Sequence, residues 1–200
     1  MCIRDRYYLG LNFLLDGEQE SALKAFSEAL AVNAETFETH ITFGSLLRKR
    51  GEVDNAIKIH QSLLSRSRLP DVQKNQAHLE LAKDFIAAGL LDRAEQLLKD
   101  LLELSEEHQL EAKSLLIEVF EASRDWSQAC ELTESQLGGL REDDAHQKSA
   151  AIKARAKLSH YCCDASEDKE SAGELDSARE LAERAWDWTA DAVGPHPRLA

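Results

Sequence analysis

The 200-residue chain holds only three prolines and nine glycines, so little in it interrupts a helix. Nowhere do β-branched and polar residues alternate, which excludes a sheet. Positive charge is scarce: 24 Lys and Arg stand against 37 Asp and Glu, a net charge of −13. An acidic surface repels phosphate backbones, so no nucleic-acid partner is expected. The basic run Arg48-Lys49-Arg50 reads as a solvated helix end ahead of a phosphate site. Cys2, Cys130, Cys162 and Cys163 form no CxxC pair, which leaves out a zinc ribbon or a dithiol redox motif. They read as reduced, buried or half-buried thiols of a reducing compartment. Cys162 and Cys163 with His160 are too thin a set for a metal site. The apolar stretch YYLGLNFLL (7–15) is too short to cross a bilayer, and no secretory signal opens the chain. HExxH, GxGxxG, P-loop and GxSxG motifs are absent. Glu106-Glu107 and Asp143-Asp144 are exposed runs, with nothing to isolate two carboxylates in a pocket. No catalytic residue, metal ligand or cofactor is therefore expected in this chain, and it is read as no enzyme.

What the chain does have is 43% apolar residues, enough for a core, and a repeated phrase. DGEQESA (16–22), RGEVDNA (50–56), AGLLDRA (88–94), SRDWSQA (123–129) and AGELDSA (172–178) each end in alanine. The alanines are Ala22, Ala56, Ala94, Ala129 and Ala178, spaced 34, 38, 35 and 49 residues apart. Gly17, Gly51, Gly89 and Gly173 share one offset, where glycine permits a left-handed turn between two helices. Asp54 and Asp92 follow, as caps for the second helix. The alanine then lets two helices approach closely.

Ahead of each turn lies a first helix with its own spacing: Leu9-Gly10 and Phe13, Phe43-Gly44 and Leu47, Leu81-Ala82 and Phe85, Leu116-Ile117 and Phe120. Gly10, Gly44 and Ala82 are the small residues of these pairs. After each turn the apolar stripe runs on through Phe26 and Ala29, His60 and Leu63, Leu98 and Leu101. His60 thus occupies a core slot instead of a catalytic one, and Trp186 and Trp188 are expected in the core. The pattern resembles the tetratricopeptide repeat. It predicts an all-α fold, a solenoid of about five helix-turn-helix repeats, with helix pairs near 5–32, 36–66, 72–104, 108–137 and 146–192. Repeats one to four cover 7–137. Residues 138–145, with Gly138-Gly139 and a run of acids, form a loop. The 49-residue spacing requires a longer first helix or an extra loop in the degenerate fifth repeat, 146–193. MCIRDR (1–6) reads as a non-native or disordered start. GPHPRLA (194–200) reads as a linker into a truncated next repeat, so a fragment is expected.

A solenoid of this kind offers a groove lined by first helices. Ser45, Arg48, Lys49 and Lys83 fall at groove-facing offsets, with Arg50 beside them and Glu118 and Glu121 further along. The expectation is an acidic peptide docking near Arg48, Lys49 and Lys83.

GLNFLLDGEQESALKAF, THITFGSLLRKRGEVDNAIKIHQSLL and LAKDFIAAGLLDRAEQLL together resemble the lipopolysaccharide assembly protein B family, chiefly over 8–137. The resemblance implies a protein adaptor. Members carry an N-terminal membrane helix, cytoplasmic repeats at the bacterial inner membrane, and a rubredoxin-like module with two CxxC pairs for zinc or iron. They help a membrane-bound AAA protease degrade the deacetylase of the lipid A pathway, and so restrain lipopolysaccharide synthesis. This sequence shows neither the anchor nor the metal module. The second reading is a generic tetratricopeptide binding module of another bacterial cell-envelope or secretion assembly.

Overall fold

The computed structural model describes residues 37–65, 69–138 and 145–193, with residues 5, 8–10, 12–13, 18, 21–22 and 24–25 before them. Gly17, Phe26, Ala29 and most of 1–6, 139–144 and 194–200 lie outside the described residues. Among the described residues there is no strand. The helices are α1 (Phe37–Lys49), α2 (Val53–Leu64), α3 (Asp71–Ala87), α4 (Leu91–Leu104), α5 (Gln109–Ser123), α6 (Trp126–Leu137), α7 (Ala145–Ser171) and α8 (Leu175–Val193). α1 packs on α2, α3 on α4 and α7 on α8 as hairpins. The chain divides into two units, Met1–Ala112 and Lys113–Ala200.

The four described turns are built alike, and the backbone says why. In the first, the Glu52 amide donates to the Leu47 carbonyl at 2.9 Å and the Gly51 amide to that of Arg48 at 3.0 Å. This pattern satisfies the orphan carbonyls of a helix end and needs one residue in the left-handed region. Gly51, Gly89 and Gly173 supply it, with φ of 85°, 72° and 82°. At the fourth repeat Arg124 takes the same position, at φ 58°. Its bond to the Glu121 carbonyl is the longest of the set, 3.3 Å.

The second helices start two residues earlier than a capping role for Asp54 and Asp92 requires. Glu52 and Leu90 stand at the cap positions and make no side-chain cap bond. Asp54 and Asp92 therefore act only on the positive end of the helix dipole, from within the first turn. Asp125 is the residue that caps, accepting from the Gln128 amide at 3.2 Å.

In the first unit, Ala22, Phe43, Leu47, Ala56 and Ile59 form one buried cluster, with Phe13 against it. Phe37, Ile41, Leu63, Leu69 and Ala77 form another. Ala82, Ala94, Leu98 and Leu101 are buried too. In the second unit the buried set is Leu116, Val119, Phe120, Ala129, Leu158, Tyr161 and Ala185, among others. The first helix of the last pair, α7, is 27 residues long, against 13 for α1. The expected core position of Trp186 is corrected: it is 76% exposed, and Trp188 is half-buried. Ala178 and Ala185, two turns apart, face inward on α8. Trp186 follows Ala185 by one residue, about 100° round the helix, and so turns outward. Among the described residues no helix is long and apolar enough to cross a membrane.

Candidate functional site

The groove-facing residues chosen from sequence meet one another, but around acids that sequence reasoning missed. Arg48, one residue before the end of α1, reaches across to α3. Its Nη2 donates to Glu80 Oε2 at 2.7 Å and its Nη1 to Asp84 Oδ1 at 2.6 Å. Nη1 also lies 3.2 Å from the Glu80 carbonyl. Ser45, one turn back on α1, donates to the same Glu80 oxygen at 2.8 Å. Lys83, one turn on from Glu80, donates to Glu80 Oε1 at 2.6 Å and to Glu111 Oε1 at 2.7 Å. Lys49 is exposed, and Arg50 pairs with Glu52 at 3.5 Å. The two cations at the centre, Arg48 and Lys83, are thus already matched by three carboxylates of the same unit.

Below this clasp lies a fully buried pair. His60 Nδ1 and Asp84 Oδ2 are 2.5 Å apart, both side chains without solvent exposure. The carboxylate can only accept, so Nδ1 carries the hydrogen and donates it. The other face of the ring lies on Gly44. A Cβ there would meet His60 Nε2 at 2.4 Å, so only glycine leaves room for the imidazole. His60 therefore fills its core slot as expected, but as one end of an imidazole–carboxylate–guanidinium chain. One repeat later the corresponding residues are Leu98 and Val119, both apolar. That contrast was the available signal: Asp84 is an acid at an apolar offset, 24 residues after a histidine at another.

Charge shifts follow this geometry. Burial alone would raise the Glu80 carboxyl; the hydrogen bonds from Lys83, Arg48 and Ser45 outweigh it and bring it down to about 2. Burial works against the charge of Lys83 as well, yet its bonds to Glu111 and Glu80 raise it above the usual lysine value. Arg48 is likewise raised, burial being overcome by Glu80 and Asp84.

In the second unit Glu121 is also engaged. It accepts from the Tyr161 hydroxyl and from Lys157 Nζ at 2.9 Å. Burial and that hydrogen bond push the Tyr161 hydroxyl up. Tyr161 stacks on Trp126, ring centroids 6.2 Å apart. Glu118 is exposed. Arg184 of α8 pairs with Glu134 of α6.

No group of three or more potential metal ligands occurs among the described residues. Cys130 and Cys162 do not supply the two CxxC pairs of a rubredoxin-like centre, so the residues here do not fit such a metal. The arrangement is a charged clasp between successive first helices, with exposed cations at its rim.

No protein-family model matches the chain. Lipopolysaccharide assembly protein B of Escherichia coli K12 is 33% identical over 89% of this chain. The protein of the same name from Haemophilus influenzae is 33% identical over 64% of it. The chain is a relative of lipopolysaccharide assembly protein B. It spans 43% of the length of the E. coli protein and 34% of the H. influenzae one. Solved structures agree on the fold. The TPR-like repeats of a Podosopora anserina kinesin light chain superpose with a TM-score of 0.54 at 17% identity, over 94% of this chain and 95% of that one. MamA superposes at 0.53 and 17% identity, over 92% and 96%. The fold is the all-α tetratricopeptide repeat.

Proposed function

We propose that this chain is the protein-binding scaffold of an adaptor that regulates lipopolysaccharide biosynthesis. In this reading it brings the lipid A pathway deacetylase to a membrane-bound AAA protease and so promotes its proteolysis. The chain does no chemistry itself and takes no cofactor. The whole protein works at the cytoplasmic face of the bacterial inner membrane, held there by an anchor and completed by a rubredoxin-like metal module. The observation that carries this reading is the 33% identity to lipopolysaccharide assembly protein B along 89% of the chain.

The partner docks on the first-helix face of α1 and α3. Ser45, Arg48 and Lys83 shape that face by bridging the two helices, and Lys49 and Arg50 stand exposed at its edge. An acidic segment fits there, and its carboxylate can take the place of the half-exposed Glu111 on Lys83.

Co-purification with the full-length protein tests this. Wild type is expected to retain both protease and deacetylase, and K49E/R50E to lose about tenfold in capture of one of them. Unchanged capture by K49E/R50E would reject this face. Failure of wild type to retain either protein would reject the adaptor reading itself.

A further inference from the structure

Two thiols far apart in sequence meet inside the second unit. Cys130 on α6 and Cys162 on α7 lie 32 residues apart, and their Sγ atoms are 3.4 Å from each other. Both are free and buried. That separation is hydrogen-bond contact for sulfur and needs only a short closing movement to become a covalent bond. We propose that Cys130 and Cys162 are a redox modification site, closed to a disulfide between α6 and α7 by a small hydroperoxide.

The surroundings assign each sulfur a role. Either sulfur can donate in the Cys130–Cys162 contact; the contact with Cys130 lowers the Cys162 thiol, and the Arg184 charge adds to this. Cys130 is pushed up by that same contact and by burial. Its Sγ stands 3.8 Å from Glu134 Oε1 and 4.0 Å from Arg184 Nη2. Cys162 is therefore the nucleophile and Cys130 the resolving thiol. The Cys162 thiolate attacks the terminal oxygen of the hydroperoxide; the O–O bond breaks, and the alcohol or water leaves with one proton. This yields a sulfenic acid on Cys162. Cys130 then gives its proton toward Glu134 and its sulfur attacks Cys162. The S–O bond breaks, and the departing hydroxide takes up the proton as water. Two thiols have lost two electrons to one hydroperoxide.

Burial selects the oxidant. A molecule the size of hydrogen peroxide reaches the pair through small helix fluctuations, whereas a bulky disulfide reagent does not. Cys163, next in sequence but exposed, supplies the contrast. The closed bond would tie the second helix of one repeat to the first helix of the next and restrict their separation.

The test treats the reduced protein with hydrogen peroxide, blocks remaining thiols under denaturing conditions, and maps peptides by mass. The expected result is a Cys130–Cys162 cross-linked peptide with two hydrogens lost. Tm should rise by several degrees, reversed by dithiothreitol. C163S should behave as wild type, while C130S and C162S, checked for native helicity, should lose both the cross-link and the Tm shift. Separate alkylation of Cys130 and Cys162 after oxidation would overturn the proposal. So would a bridge to Cys2 or Cys163 instead, or advance of Cys162 to a sulfinic acid without cross-linking. The comparison of oxidised with reduced wild type stands even if a variant misfolds.

Discussion

In residues 37–112 one repeat meets the first helix of the next at Asp84, which is held by His60 of the second helix and Arg48 of the first. In residues 113–193 the corresponding seam, α6 against α7, holds two thiols and a stacked Trp126–Tyr161 pair. The backbone problem is the same in both, because every hairpin must bury its apolar stripe against a neighbour. The solutions differ in what happens when one member is removed. Charges in the first seam satisfy one another and leave a costly remainder if separated. Sulfur and ring contacts in the second are individually weak and tolerate loss. The first unit is thus specified by matched charge, and the second by shape and by a pair open to oxidation.

The largest effect should come from breaking the first seam. D84A leaves Arg48 with one carboxylate instead of two and His60 buried without its carboxylate, and should destabilise the first unit by about 3–5 kcal/mol. Hydrogen exchange on α1 and α3 would locate the loss. The double variant H60L/D84V copies Leu98 and Val119 from one repeat on. It should recover most of that stability, because apolar residues of similar volume need no partner. If H60L/D84V is as unstable as D84A, the comparison between the two seams is wrong.

Acid should separate the units next. The folded Glu80 carboxyl titrates at about 2, below its ordinary 4.5. A depressed carboxyl contributes stability that is present above pH 4.5 and lost as pH falls toward 2. Discounted for solvent screening, that contribution is about 1–2 kcal/mol. Denaturant unfolding across this window should fall more steeply in wild type than in E80Q, and amide exchange should place the difference in α1 and α3.

The turn pattern was legible because its causes are local. A glycine at a left-handed position and an alanine at a close approach are set within one hairpin, so Gly51, Gly89, Ala56 and Ala94 stand out from spacing alone. The partners of charged residues were not. Arg48 and Asp84 are 36 residues apart, and which acid faces which base depends on how one hairpin stacks on the next. Asp84 at an apolar offset was a readable clue; the approach of Cys130 to Cys162 had none. Trp186 shows the limit of size as a guide, since Ala178 and Ala185 fill the inward face of α8 and leave the larger ring outside.

A smaller change sharpens the second seam. Y161F removes the hydroxyl bond to Glu121 but keeps the stack on Trp126. The expected cost is about 1 kcal/mol, read by denaturant unfolding, with exchange in α3 unchanged. A loss comparable to D84A would mean that the second unit also depends on its polar contacts.

The smallest effect should run the other way. Arg124 holds the left-handed position that glycine holds in the three other described turns. Its side chain presses Cβ toward the following carbonyl, a cost of about 1–2 kcal/mol that glycine avoids. Glycine also frees the unfolded chain, which returns part of the gain. R124G should therefore stabilise the second unit by roughly 0.5–1 kcal/mol. The mirror substitution G51R should destabilise the first by a similar amount, since open space surrounds Gly51 and only the backbone objects. Opposite shifts in Tm for these two variants would show that the turns, unlike the seams, are interchangeable between the units.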